Sequence, residues 1–278
     1  MNFKYSYNTI VYTGEDYSIQ ASRVANYGYD AIELVGEPDL YDFKEVNKIN
    51  ADNGIVVSSI CSIFTAKRDL VHPDKSERQN AIDYCKQIAD MLAEVGGHTM
   101  IVAPSPVGKM YPLAPAEEEQ KWAIENIQKV GEYAADVGVN ISIEPWNRYE
   151  TYFINRLDQA VDILDQLNLS NAGIHGDTFH MAIDEKNIAD AYKKTGSKLN
   201  HTHMADSNRA APGQGHTDFI PILQTLKDIN FSGYVTMELI PAASDPFACI
   251  REGGAEEFKD KYTELSIKYL KTIESNLS

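Results

Sequence analysis

The chain has 278 residues, 43% hydrophobic and 24% charged, an ordinary globular composition whose length suits one large domain or two small ones. Its formal net charge of -16 argues against a nucleic-acid backbone or an anionic membrane as partner, because either would be repelled. No uncharged apolar run of about 18 residues occurs, the start Met1-Asn2-Phe3-Lys4-Tyr5 lacks a signal-peptide core, and Cys61, Cys85 and Cys249 show no CxxC spacing. A soluble, non-exported, cytoplasmic protein with reduced thiols is expected.

Along the chain, amphipathic stretches end in Gly and lead within a few residues into a short apolar run. An opening strand is expected near Lys4 to Asn8. Tyr17 to Tyr27 reads as a helix stopped at Gly28, before the strand Ala31-Ile32-Glu33-Leu34-Val35. Tyr41 to Asn53 stops at Gly54 before Ile55-Val56-Val57, and Ser76 to Val95 stops at Gly96-Gly97 before Thr99 to Ala103. Glu117 to Val137 stops at Gly138 before Val139 to Ile143. A strand near Ala172 to Asp177 follows; then Ile188 to Thr195 stops at Gly196 before Leu199, and Phe219 to Phe231 stops at Gly233 before Tyr234 to Met237. The last helix, Glu256 to Ile273, carries Phe258, Tyr262, Leu265 and Tyr269 at helical spacing, which reads as packing.

Glycine past the last helical turn accepts the left-handed conformation that closes a helix. Repetition of the unit marks alternating β and α elements around a parallel sheet, and the strands number about eight. The first strand runs into Thr9-Ile10-Val11-Tyr12-Thr13-Gly14, which is no dinucleotide fingerprint, and no GxxxxGK[ST] occurs. The expected fold is therefore α/β, a single (β/α)8 TIM barrel over residues 1–278.

In such barrels chemistry sits at the carboxyl ends of the strands. Strand five ends Ser142-Ile143-Glu144-Pro145, strand six His175-Gly176-Asp177, strand seven His201-Thr202-His203-Met204 and strand eight Thr236-Met237-Glu238-Leu239. Glu144, Asp177, His203 and Glu238 thus converge as candidate ligands of one divalent ion. Three carboxylates with one imidazole suit Mn²⁺, Mg²⁺ or Co²⁺ better than a structural Zn²⁺. One acidic residue at a strand end more often caps a helix or faces solvent; four consecutive ligand-type strand ends favour the metal. Two positions back, Ser142, His175, His201 and Thr236 share the inward direction. They either orient the ligands or are satisfied core polar groups.

Glu144-Pro145-Trp146-Asn147-Arg148-Tyr149-Glu150 resembles the E-x-x-N-R-[FY]-E stretch of the D-tagatose/D-allulose (psicose) ketose 3-epimerases. Asp177-Thr178-Phe179-His180-Met181 is similar to their D-T-F-H-M, His203 with Asn208-Arg209 to their H-x-x-x-x-N-R, and Pro212-Gly213-Gln214-Gly215 to their P-G-x-G loop. Thr236-Met237-Glu238 is similar to their closing metal-binding Glu. The resemblance spans essentially the whole chain, with its specific motifs after residue 140, and places it in the xylose isomerase-like barrel superfamily. It implies a metal-dependent isomerase that inverts C3 of a free ketose through a cis-enediolate, with Glu144 and Glu238 as the acid/base pair. It also implies Mn²⁺, with Co²⁺ or Mg²⁺ as alternatives, held by Glu144, Asp177, His203 and Glu238. Glu150, His180 and Arg209 would contact the sugar, and the assembly would be a homodimer or homotetramer.

The chemistry suits these residue types. A base removes the proton beside the carbonyl, a metal on O2 and O3 makes that proton more acidic, and a second acid returns a proton. Arg209 or His180 can neutralise charge developing on O2. Three departures leave the substrate open: Ala103-Pro104-Ser105-Pro106-Val107-Gly108 replaces a Gly-rich turn, Asn8 stands at a usual Trp, and Met204-Ala205-Asp206 replaces T-G-E. A different ketose, an inosose or a keto-glycoside remains compatible.

The alternatives are an inosose or hydroxypyruvate-type isomerase or dehydratase on the same barrel, an endonuclease IV-like enzyme with three zinc ions, and a non-enzymatic sugar-binding or regulatory barrel. Strands three and four, Ile60-Cys61-Ser62 and Val102-Ala103-Pro104, lack the histidines that the second needs. The third predicts a lost ligand, and none is missing. Cys61 can line the pocket or be a small buried thiol; Trp146 can pack on the sugar or on a helix; His216, beside Gly215, can reach the pocket from the strand-seven loop.

Overall fold

Short apolar runs buried on both faces form parallel strands, because the helices between them cover the outside of the sheet. The structure, a computed structural model describing residues 2–65 and 67–277, arranges these runs as β1 (Lys4–Asn8), β2 (Ala31–Gly36), β3 (Val56–Ser62), β4 (Thr99–Val102), β5 (Asn140–Ile143), β6 (Ala172–Asp177), β7 (Leu199–Met204) and β8 (Tyr234–Met237). Each pairs with its sequence neighbour, and β8 pairs parallel with β1, so the sheet closes into a (β/α)8 barrel as the repeated unit predicts.

The expected helices are present with shifted ends. The first runs over Tyr17–Asn26; the second begins at Phe43, after a 3-10 turn at Pro38–Leu40, and ends at Asn53. Lys75–Glu94, Ala116–Asp136, Ile188–Thr195 and Glu256–Glu274 match their predicted stretches to within a residue or so. The strand placed at Ile55–Val57 is longer, Val56–Ser62, because Ser58, Ser59 and Ser62 interrupt its apolar pattern without leaving the sheet. Three short helices escaped the periodicity: Leu157–Leu164, Thr178–Asp184 and Pro246–Glu252, each only about two turns long.

Gly233 was expected to stop the helix before β8, and that is corrected. The helix spans Phe219–Asp228, and the left-handed position after it is taken by Asn230 at φ 54°. Gly233 serves a different need, close approach of backbone: a Cβ there would lie 2.3 Å from the Asn200 carbonyl oxygen.

Asn200 is the extra residue of a bulge in β7, where Ile174 pairs with Leu199 but His175 with His201. Its side chain occupies the space that Gly173 leaves free, accepts from Ser142 Oγ at 2.5 Å and donates to the Ile141 carbonyl at 3.0 Å. A second bulge lies in β3, where Ile32 pairs with Val57 but Glu33 with Ser59. Bulges re-aim the residues that follow them. Here they set Ser59 opposite Glu33, and His201 with His203 opposite His175 and Asp177.

Gly233→Ala should therefore press on the bulge at Asn200 and cost about 1–3 kcal/mol. Calorimetry should register a fall in Tm of roughly 2–4 °C for each kcal/mol lost in a chain of about this size. An unchanged Tm would contradict the close approach.

Candidate metal centre and substrate cleft

Glu144 and Glu238 lie one residue beyond β5 and β8, Asp177 ends β6, and His203 is the penultimate residue of β7. All four are buried, at 4%, 6%, 1% and 0% exposure respectively, so their charges meet in a water-poor place. His203 Nδ1 stands 3.2 Å from a Glu238 oxygen and 3.7 Å from an Asp177 oxygen. Ligand atoms of Asp177, His203 and Glu238 form one group within 4.8 Å, and Glu144 joins the overlapping groups Glu144–His175–His203 and Glu144–Asp177–His180. The structure thus brings the four predicted ligands to one rim.

The donor set fits a divalent ion on a direct observation: His203 Nδ1 is fully buried and has no hydrogen-bond partner. Its other nitrogen, Nε2, contacts Glu33 Oε1 at 2.7 Å. An ionised carboxylate only accepts, so Nε2 carries a proton and donates it. Asp177 is fixed by its own helix: its Oδ1 caps Thr178–Asp184 by accepting from Phe179 N at 2.8 Å. That short helix carries His180 into the cleft.

Arg209 supplies the cation among these acids. Its guanidinium donates to Asp177 Oδ2 at 2.6 Å and to Glu238 Oε2, and lies over the Phe179 ring at 4.7 Å. The residue adopts φ 65°, a left-handed conformation that non-glycine residues take at a cost. The loop holding it there is organised by Asp206, whose carboxylate accepts from the backbone N–H groups of Ser207, Gly213 and Thr217 at 2.7, 2.8 and 3.0 Å.

The surroundings drive the two glutamates apart. Burial pushes the Glu144 carboxyl well above the usual range, against His203 and with help from Asp177 and Glu238. Burial acts the same way on Glu238 and Asp177, but Arg209 and the neighbouring histidines outweigh it and hold both below the usual carboxylate range. Burial would depress His203, yet the Glu33 and Glu238 carboxylates hold it well above an ordinary imidazole.

Glu150, His180 and Arg209 all line the same cleft as Glu144 and Glu238, a space of about 440 Å³. Asn147 orients two of them, with its amide nitrogen 2.8 Å from His180 Nδ1 and 2.9 Å from Glu150 Oε1. The walls are apolar: Phe64, Trp146, Phe179 and, at the mouth, Val107, Ile240 and Phe247. Trp146 and Cys61 are therefore wall residues, the Cys61 thiol lying 3.2 Å from Glu238 Oε1. His216 is not: it is exposed and bonds Ser207 Oγ at 2.9 Å, away from the cleft.

Of the inward residues beneath the ligands, His201 Nε2 donates to Glu33 Oε2 at 2.8 Å, whereas His175 and the Thr236 hydroxyl are buried without a hydrogen-bond partner. Glu33 is the functional candidate that the sequence reading missed. Its signal was a lone acid inside the apolar run Ala31-Ile32-Glu33-Leu34-Val35, where a buried strand has no room for an unpartnered charge. Asp206 was read only as a departure; the glycines at 213 and 215 were the sign that something approaches the backbone closely there.

Fold and rim together define a (β/α)8 barrel with a site rich in carboxylates and histidines at its carboxyl end. The sequence model of the xylose isomerase-like TIM barrel family matches residues 21–269, and the chain belongs to that family. It is 30% identical over 235 residues to the D-psicose 3-epimerase of Ruminiclostridium cellulolyticum, covering 80% of this chain and 78% of that one. It is 29% identical over 237 residues to the 3-dehydro-D-guloside 4-epimerase of Escherichia coli K12, covering 82% and 89%. Among solved structures, D-psicose 3-epimerase with D-tagatose from Clostridium cellulolyticum H10 superposes with a TM-score of 0.86 at 26% identity, covering 97% of this chain and 99% of that one. Among the described residues no helix is long and apolar enough to cross a membrane.

Replacing Arg209 by Met leaves Asp177 and Glu238 facing each other without their cation. Breaking such a buried pair costs about 3–5 kcal/mol, so metal-stripped Arg209→Met should melt well below the parent protein. Mn²⁺ should restore more of its Tm than it adds to the parent. Equal Mn²⁺-induced shifts in the two proteins would mean that Arg209 does not balance these acids.

Proposed function

We propose that the protein inverts C3 of a free ketose, with Glu144 and Glu238 as the acid/base pair and Glu144, Asp177, His203 and Glu238 as ligands of a divalent ion. The observation that carries this is the unpartnered His203 Nδ1 between the carboxylates of Asp177 and Glu238, behind a cleft of about 440 Å³ that Glu144, Glu238 and Arg209 line. The protein is an isomerase, the class to which its D-psicose 3-epimerase and 3-dehydro-D-guloside 4-epimerase relatives belong. Mn²⁺ is the first candidate ion, with Co²⁺ or Mg²⁺ as alternatives, because oxygen donors outnumber nitrogen.

When bound, such an ion polarises the sugar oxygens as a Lewis acid. The chain itself must move the proton. Glu144 and Glu238 leave β5 and β8 with the other two ligands on the strands between, so the two carboxylates flank the site. One removes the C3 proton and the other delivers one to the opposite face. Arg209 offers fixed positive charge where the carbonyl oxygen gains negative charge. His180, held by Asn147, and Glu150 offer hydrogen bonds to hydroxyls, while Phe64, Trp146 and Phe179 exclude water. A homodimer or homotetramer, which the resemblance implies, belongs to the same proposal.

A keto-glycoside is a second substrate class, favoured by the mouth of the cleft. Val107 and Phe247 are 45% and 52% exposed there, and with Ile240 and Pro241 they offer nothing to the hydroxyls of a sugar's tail. They would cover an aglycone, and one relative is a 4-epimerase of a 3-dehydro-glycoside.

The deciding assay incubates the Mn²⁺-supplemented protein in D2O with D-fructose, D-tagatose, D-allulose, L-ribulose and a 3-keto-glucoside, and locates the label by NMR. Deuterium at C3 of a ketose with appearance of its epimer is expected. Label at C4 of the keto-glycoside alone would select the second class, and label at C1 would replace epimerisation by aldose–ketose isomerisation. Glu238→Gln should lower turnover by about 10²–10⁴-fold, the usual worth of an acid/base group; near-normal turnover in the folded variant would remove Glu238 from the mechanism.

A further inference from the structure

The carboxylate of Glu33 is completely enclosed in the barrel and, among the described residues, touches no arginine or lysine. It lies on β2 with no exposure, three residues before the strand ends, and accepts four hydrogen bonds. Oε1 takes His203 Nε2 at 2.7 Å and Asn8 Nδ2 at 2.8 Å; Oε2 takes His201 Nε2 at 2.8 Å and Ser59 Oγ at 2.5 Å. Ser59 is in turn 2.8 Å from Ser58 Oγ, which is 2.6 Å from Ser6 Oγ. A buried carboxylate so saturated cannot turn without breaking several bonds at once.

We propose that Glu33 is a positioning residue that locks the His203 ring with its Nδ1 lone pair toward Asp177 and Glu238. The inference rests on the metal-dependent reading above and adds to it a residue outside the ligand set.

The argument is one of geometry. An imidazole ligates through a nitrogen that carries no proton, and which nitrogen that is depends on the bond made by the other. Glu33 accepts at Nε2, so Nδ1 is the nitrogen left to face the rim. The bulge in β3 places Ser59 opposite Glu33, and the bulge in β7 puts His201 and His203 in one inward phase, so that one carboxylate reaches both rings. Asn8 extends the hold to the base, since its amide nitrogen also lies 3.4 Å from Glu238 Oε1. Glu33, His201 and His203 also form a compact acid–imidazole group. Their 2.7–2.8 Å separations are hydrogen-bond contacts, so the group is read as an orienting network and not as a second ion site.

The test is Mn²⁺ affinity of the metal-stripped protein, measured by calorimetry and by electron paramagnetic resonance of free Mn²⁺. Glu33→Gln should weaken binding about 10–100-fold, the usual effect of losing an outer partner of a ligating histidine. Ile127→Ala, buried in the helix Ala116–Asp136 outside the sheet, serves as the control for a merely destabilised fold and should bind Mn²⁺ like the parent. Affinity in folded Glu33→Gln within twofold of the parent would overturn the proposal, as would a parent that binds two ions and a variant that binds one. Should the variant not fold, ¹⁵N–¹H correlation of the Zn²⁺-loaded parent decides: a proton on His203 Nε2 is expected, and a proton on Nδ1 overturns the assignment. A parent that takes up no divalent ion would instead bring down the metal-dependent reading itself, a result distinct from a parent and variant that bind alike.

Discussion

Acidic side chains crowded where water is scarce repel one another, and the upper half of this barrel is built around that constraint. Glu33, Glu144, Asp177 and Glu238 are all buried within reach of a few histidines, while Arg209 is the guanidinium among them. Each acid meets the problem differently. Glu33 is neutralised by hydrogen bonds on every side, Asp177 divides itself between a helix N-terminus and Arg209, and Glu238 leans on Arg209 and His203. Glu144 has the least help, and burial drives its carboxyl upward. A centre that is short of positive charge by design is one prepared to receive more of it.

The backbone is shaped to the same end. Strand alternation alone would place inward residues at every second position, but two bulges reset that count immediately before the residues that matter. The bulge at Asn200 is accommodated by glycines on both neighbouring strands, Gly173 on β6 and Gly233 just ahead of β8. Glycines far from any chemistry thereby decide where two histidines point.

The barrel was legible because its evidence is repeated: each amphipathic stretch, stopping residue and apolar run restates the same unit. The convergence of Glu144, Asp177, His203 and Glu238 at one rim was legible because they occupy similar places on successive strands. Glu33 was not, since a strand's register against its neighbour is invisible in one sequence, and only the bulge at Ser58 brings Ser59 beside it. The helix at Thr178–Asp184 escaped for a related reason: two turns hold too few apolar positions to show a period, and its start is fixed by Asp177, which caps it from the rim. His216 stayed open in the sequence because nearness to Gly215 says nothing about the direction of a side chain on a loop. Gly233 misled because a glycine that ends a helix and one that admits a neighbouring carbonyl look the same in a string of letters.

The loop after β7 carries a consequence of its own. Asp206 gathers three backbone N–H groups from across residues 207–217, and the Arg209 N–H closes on its carbonyl at 2.9 Å. This rim segment is therefore ordered during folding, and the entropy of fixing it is not charged to each binding event. The stretch after β8 is tied more sparingly, with Ile240 N donating to Arg209 O and Ala242 N to the Tyr262 hydroxyl. A division of labour follows between the two sides of the mouth. One side presents the Arg209 charge from a segment that needs no further ordering, and the other, with Phe247 at its edge, supplies the apolar lip of the cleft.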